Sequence, residues 1–81
     1  MEHRKKTLKQ IVHDEVFKDI IQGMYTPGDI ISEVLLTEKF GVSKAPVREA
    51  LIELCNENVL RSIPRYGYEI IPITSTDVKN L

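Results

Sequence analysis

The chain carries few of the groups that covalent or metal chemistry requires. It has one cysteine, Cys55, and two histidines, His3 and His13, in 81 residues. A single cysteine cannot close an intrachain disulfide, so the fold must rest on its core alone, and a reducing cytoplasm is the expected setting. Neither histidine has a second histidine or a cysteine at ligand spacing, which argues against a metal site. There is no glycine-rich phosphate loop and no nucleophile motif. Cys55 falls among apolar helical positions without a histidine near it, so neither a cofactor nor an enzymatic activity is expected. No apolar run approaches the roughly 20 residues that cross a bilayer, and no membrane partner is expected. The N-terminus is basic but has no apolar stretch behind it, unlike a secretory signal. Internal repeats and low-complexity segments are also lacking.

What is present is an ordinary globular composition, 42% hydrophobic and 28% charged, too apolar for a disordered chain. A domain of this length buries roughly two-thirds of its unfolded surface or less, which leaves one modest core and no large enclosed site. The net charge is −1, so the sum does not mark a nucleic-acid binder, but the distribution matters more. Arg4, Lys5, Lys6 and Lys9 crowd the N-terminus against Glu2. Asp14, Glu15, Asp19, Asp29, Glu33 and Glu38 then outweigh Lys18 and Lys39. Further on, Lys44, Arg48, Arg61 and Arg65 balance Glu49, Glu53, Glu57 and Glu69.

Periodicity predicts three helices. Val12, Val16 and Ile20 recur every four residues, flanked by Leu8, Phe17, Ile21 and Met24, over a helix from about Thr7 to Gln22. Thr7 with Gln10 forms a capping box and Gly23 is a stop. Pro27-Gly28-Asp29 marks a turn, and Ile30-Ile31 a short extended segment. Ser32 is the N-cap of a second helix of about two turns, with Glu33 at its positive end. Val34, Leu35, Leu36 and Phe40 are expected on its buried side. Gly41 stops that helix, Val42 is an apolar plug and Ser43 caps a third helix. Val47, Ala50, Leu51, Leu54 and Cys55 form the buried face of this third helix, and Pro46 sits in its first turn, where no N–H is required. Asn58 ends it in the left-handed conformation. Two strands come next, near Val59–Ile63 and Tyr68–Ile71, joined through Pro64-Arg65-Tyr66-Gly67. From Pro72 the tail reads as a linker, and Thr74-Ser75-Thr76-Asp77 as a helix start with Val78 and Leu81 behind it.

Two short helices joined by a glycine-containing turn, and then a hairpin, describe an α+β winged helix-turn-helix. The third helix must bury one side and offer its first turns to a major groove. Lys44 and Arg48 share one face four residues apart, with Ala45 beside them, opposite the apolar face. The Ser43 hydroxyl and the free N–H groups of the first turn suit a phosphate. Arginine pairs bidentately with guanine, and lysine suits guanine or phosphate. The hairpin tip adds Arg65 and Tyr66, with Gly67 permitting a sharp turn close to a backbone. Glu49, Glu53 and Glu57 at helical spacing read as solvated surface, with Glu49 the expected partner of Arg48.

The run Pro27-Gly28-Asp29, Ser32-Glu33 and Gly41-Val42-Ser43-Lys44-Ala45-Pro46-Val47-Arg48-Glu49-Ala50-Leu51, continued by Glu57-Asn58-Val59-Leu60 and Gly67, resembles the signature of the GntR family. The likeness extends from about Val12 to Ile71. It implies a cytoplasmic bacterial regulator, by preference a ligand-responsive repressor, that binds a palindromic operator in double-stranded DNA as a dimer. It places DNA contacts at Ser43, Lys44, Ala45, Pro46 and Arg48, and at Tyr66 and Gly67 of the wing, beside Arg65. Residues 1–71 are then the DNA-binding domain. Residues 72–81 are a linker whose end resembles the entry to the effector domain of the FadR-like subfamily. That domain would hold most of the homodimer contact and bind a small-molecule effector outside this segment. Three departures stand out. Val34 occupies a place where FadR-like members often carry arginine, Lys44 replaces a commoner arginine, and Asn58 replaces the usual glycine. Two rival readings keep the fold. One is a protein-interaction winged helix, which should carry apolar or acidic residues where Lys44 and Arg48 stand. The other is an aminotransferase-fused, MocR-like regulator, distinguished by the kind of domain attached after Leu81.

Overall fold

The computed structural model describes residues 6–72. The basic Arg4 and Lys5 and the helix start expected at 74–81 lie outside the described residues. Helix α1 spans Leu8–Ile21 and opens with the expected capping box: the Gln10 backbone N–H donates to the Thr7 hydroxyl, and the Gln10 side chain accepts from the Thr7 N–H. Strand β1 is Ile30–Ile31, helix α2 is Glu33–Phe40, and helix α3 is Lys44–Asn56. Strands β2, Leu60–Ile63, and β3, Gly67–Ile70, complete the chain.

The sequence dictates most of these boundaries. The Ser32 hydroxyl accepts from the N–H groups of Val34 and Leu35, which fixes the start of α2. Gly41 ends it at φ 66°, a left-handed backbone that a Cβ would strain. Asn58 does the same for α3 at φ 65°, with its N–H bonded to Cys55 and the Val59 N–H to Leu54. That pair of bonds is a Schellman closure with asparagine in place of glycine.

Val12 and Val16 of α1, Leu36 of α2, and Val47, Ala50, Leu51 and Leu54 of α3 form the core with Ile31, Val59, Leu60, Tyr68 and Ile70. α1 packs chiefly on α3. The sheet is antiparallel in the order β1-β3-β2. Ile31 pairs with Tyr68 on one side of β3, and Leu60 with Ile70 on the other. The Ile30-Ile31 segment is therefore a third strand beyond the hairpin, held further by the Asp29 carbonyl, which accepts from the Ile70 N–H.

Two expectations need correction. In α2 only Leu36 is buried, with Phe40 packed against the core, while Val34 and Leu35 are 51% and 63% exposed. An eight-residue helix resting chiefly on α3 buries a narrow arc, and Leu36 and Phe40, one turn apart, fill it. In α1 the buried stripe is Val12 and Val16, the flanking Leu8, Phe17 and Ile21 are exposed, and Met24 lies past the end of the helix and is exposed too. Gly67 is already the first residue of β3, paired with Ile63, and the turn is closed by the Tyr66 N–H donating to the Ile63 carbonyl.

Candidate nucleic-acid interface

The fold brings the first turns of α3 and the β2–β3 tip to the surface. Val47, Ala50, Leu51 and Leu54 are fully enclosed, so the opposite side of α3 is turned outward. Ser43, Lys44, Ala45 and Arg48 are exposed there and Pro46 is half-buried. Lys44 makes no ion pair with any described residue. Ser43 takes the N-cap position by its backbone, φ −75° and ψ 173°, but its hydroxyl bonds no helix N–H. Its expected role as a side-chain cap is therefore not filled.

Arg48 differs from expectation in its partner. Its guanidinium lies against Glu33 of α2, not Glu49. Nε donates to Oε2 and Nη2 to Oε1, both at 3.1 Å. The Tyr68 hydroxyl donates to the same Oε2 at 2.9 Å. Glu33 is mostly enclosed while Arg48 remains more than half exposed. The Arg48 hydrogen bonds hold the Glu33 carboxyl below its usual range against the opposing effect of burial, helped by Tyr68. In turn the Arg48 pKa is raised, chiefly by the hydrogen bond to Glu33. Burial, then the bond to Glu33, push the Tyr68 phenol up to about 12. Glu33 was visible in the sequence as a helix-start acid and as part of the family-like run, but not as the partner of Arg48. Its link to Arg48 spans 15 residues and two elements, and no local spacing signals it.

At the wing, Arg65 and Tyr66 are exposed, Tyr66 at 73%. Arg65 adopts φ 76°, the left-handed region that bulky residues rarely enter. It comes after Pro64 in a turn whose third position favours glycine or asparagine, as a type II turn does. Gly67 sits at φ 131°, and a Cβ there would lie 2.5 Å from the Ile31 carbonyl oxygen. The backbone that approaches Gly67 is thus that of β1. An open groove of about 280 Å³ runs between the start of α2 and the wing, lined by Glu33, Val34, Arg65, Tyr66 and Tyr68 among others. The fourth basic residue, Arg61, pairs across the sheet with Glu69 at 3.3 Å.

Burial raises the Cys55 thiol above its ordinary value, which opposes thiolate formation. Among the described residues, no group of three or more His, Cys, Asp or Glu is placed to hold a metal ion. No helix among them is long and apolar enough to cross a membrane.

A helix-turn-helix with an outward third helix and a flanking three-stranded sheet defines the chain as a winged-helix domain. Its likeness to known proteins gives the family. The profile "Bacterial regulatory proteins, gntR family" matches residues 8–70, and the chain belongs to the GntR family. It is similar to the uncharacterized HTH-type transcriptional regulator YdhC of Bacillus subtilis, 35% identical over 85% of this chain and 31% of that protein. It is also 34% identical to the mannosyl-D-glycerate transport/metabolism system repressor MngR of Escherichia coli, over 91% of this chain and 35% of that one. The chain spans about a third of the length of these relatives. Among solved structures, the DNA-binding domain of AraR in complex with operator ORE1 matches at a TM-score of 0.81 and 27% identity, covering 86% of this chain and 87% of that one.

Proposed function

We propose that this domain binds a palindromic operator as half of a homodimer and acts as part of a ligand-responsive cytoplasmic repressor of the FadR-like kind. In this reading the outer side of α3 enters the major groove, where Arg48 and Lys44 address base edges and Ala45 and Pro46 pack close to them. Ser43 and the first-turn N–H groups meet a phosphate, and Arg65, Tyr66 and Gly67 bring the wing against the neighbouring backbone. Residues 72–81 lead into a C-terminal domain that supplies most of the dimer contact and binds the effector. One observation carries the reading. Lys44, Ala45 and Arg48 are exposed on the same helix whose Val47, Ala50 and Leu51 are wholly buried, so this face is free for a partner. The charge on that face favours DNA over an apolar protein partner.

The test begins with short duplexes of random sequence, enriched on the wild-type chain to give a preferred site. Arg48→Ala should then weaken binding to that site by about 5–150-fold, with the loss concentrated at one base pair of each half-site. Unchanged affinity on the enriched duplex would remove Arg48 from the interface. Failure of the wild-type chain to enrich any sequence would sink the operator reading itself.

A further inference from the structure

Glu33 is an acid placed beside a surface meant for a polyanion, where its charge alone should oppose binding. Its geometry suggests what offsets that disadvantage. Both carboxylate oxygens face one edge of the Arg48 guanidinium, the Nε–Nη2 edge, at 3.1 Å each. A guanidinium is planar, so two parallel bonds along one edge fix the orientation of the whole group. The opposite end, formed by Nη1 and the remaining Nη2 hydrogen, bonds no other described residue. That end is itself a fork suited to the paired O6 and N7 acceptors of guanine. The carboxylate is held in turn. Tyr68, buried in the central strand, donates to Oε2 at 2.9 Å, and the backbone of Glu33 is fixed by the Ser32 cap. A flexible arginine more than half exposed on α3 is thus tied through Glu33 to the sheet.

We propose that Glu33 is a positioning residue, which aims the opposite end of Arg48 at a guanine and so sets base specificity without touching DNA. This rests on the operator reading above and deepens it. Ordering Arg48 before binding removes rotamer freedom that would otherwise be lost on contact, and only the contact that needs orientation gains from it. A phosphate would accept the arginine in many orientations, whereas a guanine edge accepts few.

The experiment uses the duplex enriched on the wild-type chain, and copies of it with each guanine in turn replaced by 7-deazaguanine or adenine. For the wild-type chain one guanine per half-site should show a discrimination of about 5–150-fold. Glu33→Ala should bring that ratio close to the Arg48→Ala value at the same guanine, with affinity for unrelated duplex unchanged or higher. Glu33→Ala combined with Arg48→Ala should discriminate no worse than Arg48→Ala alone, because the two act as one unit. Tyr68→Phe, which keeps the ring and removes one bond to the carboxylate, should lower discrimination at the same guanine by a smaller factor. It also serves if Glu33→Ala fails to fold. Full discrimination retained by Glu33→Ala, or by Tyr68→Phe where the former is unfolded, would overturn the assignment. So would an equal loss on all duplexes, the mark of a merely structural role. Loss of guanine discrimination in Arg48→Ala with none in the Glu33 variant would leave the operator reading standing and refute this inference alone.

Discussion

Leu51 and Arg65 stand at opposite extremes of what a residue does here. Leu51 is wholly enclosed between the helices and the sheet, so truncation leaves a cavity that a small core fills poorly. Leu51→Ala should lower unfolding free energy by about 2–5 kcal/mol in denaturant titrations. Arg65 makes no side-chain hydrogen bond or ion pair with any described residue and carries a left-handed backbone that costs an L side chain about 1–2 kcal/mol. Strain kept at an exposed tip suggests use of the side chain. Arg65→Gly should therefore raise the denaturant midpoint while weakening all duplexes alike, with a salt slope smaller by about one unit. A base-specific loss would show that the wing reads sequence, and a lower midpoint would refute the strain argument. Buried positions such as Leu51 were legible from spacing because a helix face is a local property. The Arg65 conformation was not, since nothing in Pro64-Arg65-Tyr66 announces a left-handed arginine where glycine or asparagine is the rule. Nor was Glu33 with Arg48, whose pairing depends on how α2 crosses α3.

At the scale of elements, α1 is joined to the end of α3 by His13. Its Nδ1 lies 3.0 Å from Asp14 Oδ1 and its Nε2 2.9 Å from Glu57 Oε1, with Phe17 stacked on the ring. Carboxylates only accept, and a neutral imidazole donates from one nitrogen, so both bonds form only when His13 is protonated. Burial pulls its pKa down, but the hydrogen bonds to Asp14 and Glu57 and the charges of Glu57 and Glu53 outweigh it, and the net shift is upward. A folded value above the unfolded one means extra stability in full below about pH 6.5, lost as pH rises through the raised value. Asp14 has the opposite sign. Its pKa is lowered, first by the Lys6 hydrogen bond and then by His13, so its contribution is lost only in acid, outside that window. The denaturant midpoint should thus fall as pH rises from about 6.5 toward 8, and His13→Gln should flatten the slope. A flat wild-type profile would break the α1–α3 clamp. The sequence offered His13 as a residue with no metal partner, which was the right question for chelation and the wrong one for a bridge to Glu57.

For the whole molecule, the element order was readable in the sequence, whereas the sheet order was not. Ile30-Ile31 joins β3 on the side away from β2, and Gly67 is required by that close approach rather than by the turn. The same long-range packing leaves several apolar groups of α1 outside, and their arrangement bears on assembly. At about 100° per residue, Leu8 and Ile11 fall on one flank of the buried Val12–Val16 stripe and Phe17 and Ile21 on the other. The two pairs lie near opposite ends of the helix, with Asp14, Glu15 and Lys18 on the outer face between them, so they make no continuous seam for a second copy. The chain alone should therefore sediment as a monomer at micromolar concentration. With a net charge of −1, it has little general attraction to DNA and must rely on few phosphate contacts. Joining two copies through a flexible linker long enough to span both half-sites makes the second contact intramolecular. Such a tandem chain should bind a duplex carrying two inverted copies of the enriched site about 10²–10⁴-fold more tightly than one copy, with no new base contact. The same tandem should gain little on a duplex carrying one half-site, because its second module then meets only non-specific DNA. Equal gains on both duplexes would point to charge rather than two-site recognition. A stable dimer of the single chain that already matched the tandem would place the dimer seam within these residues, on a surface that α1 alone does not provide.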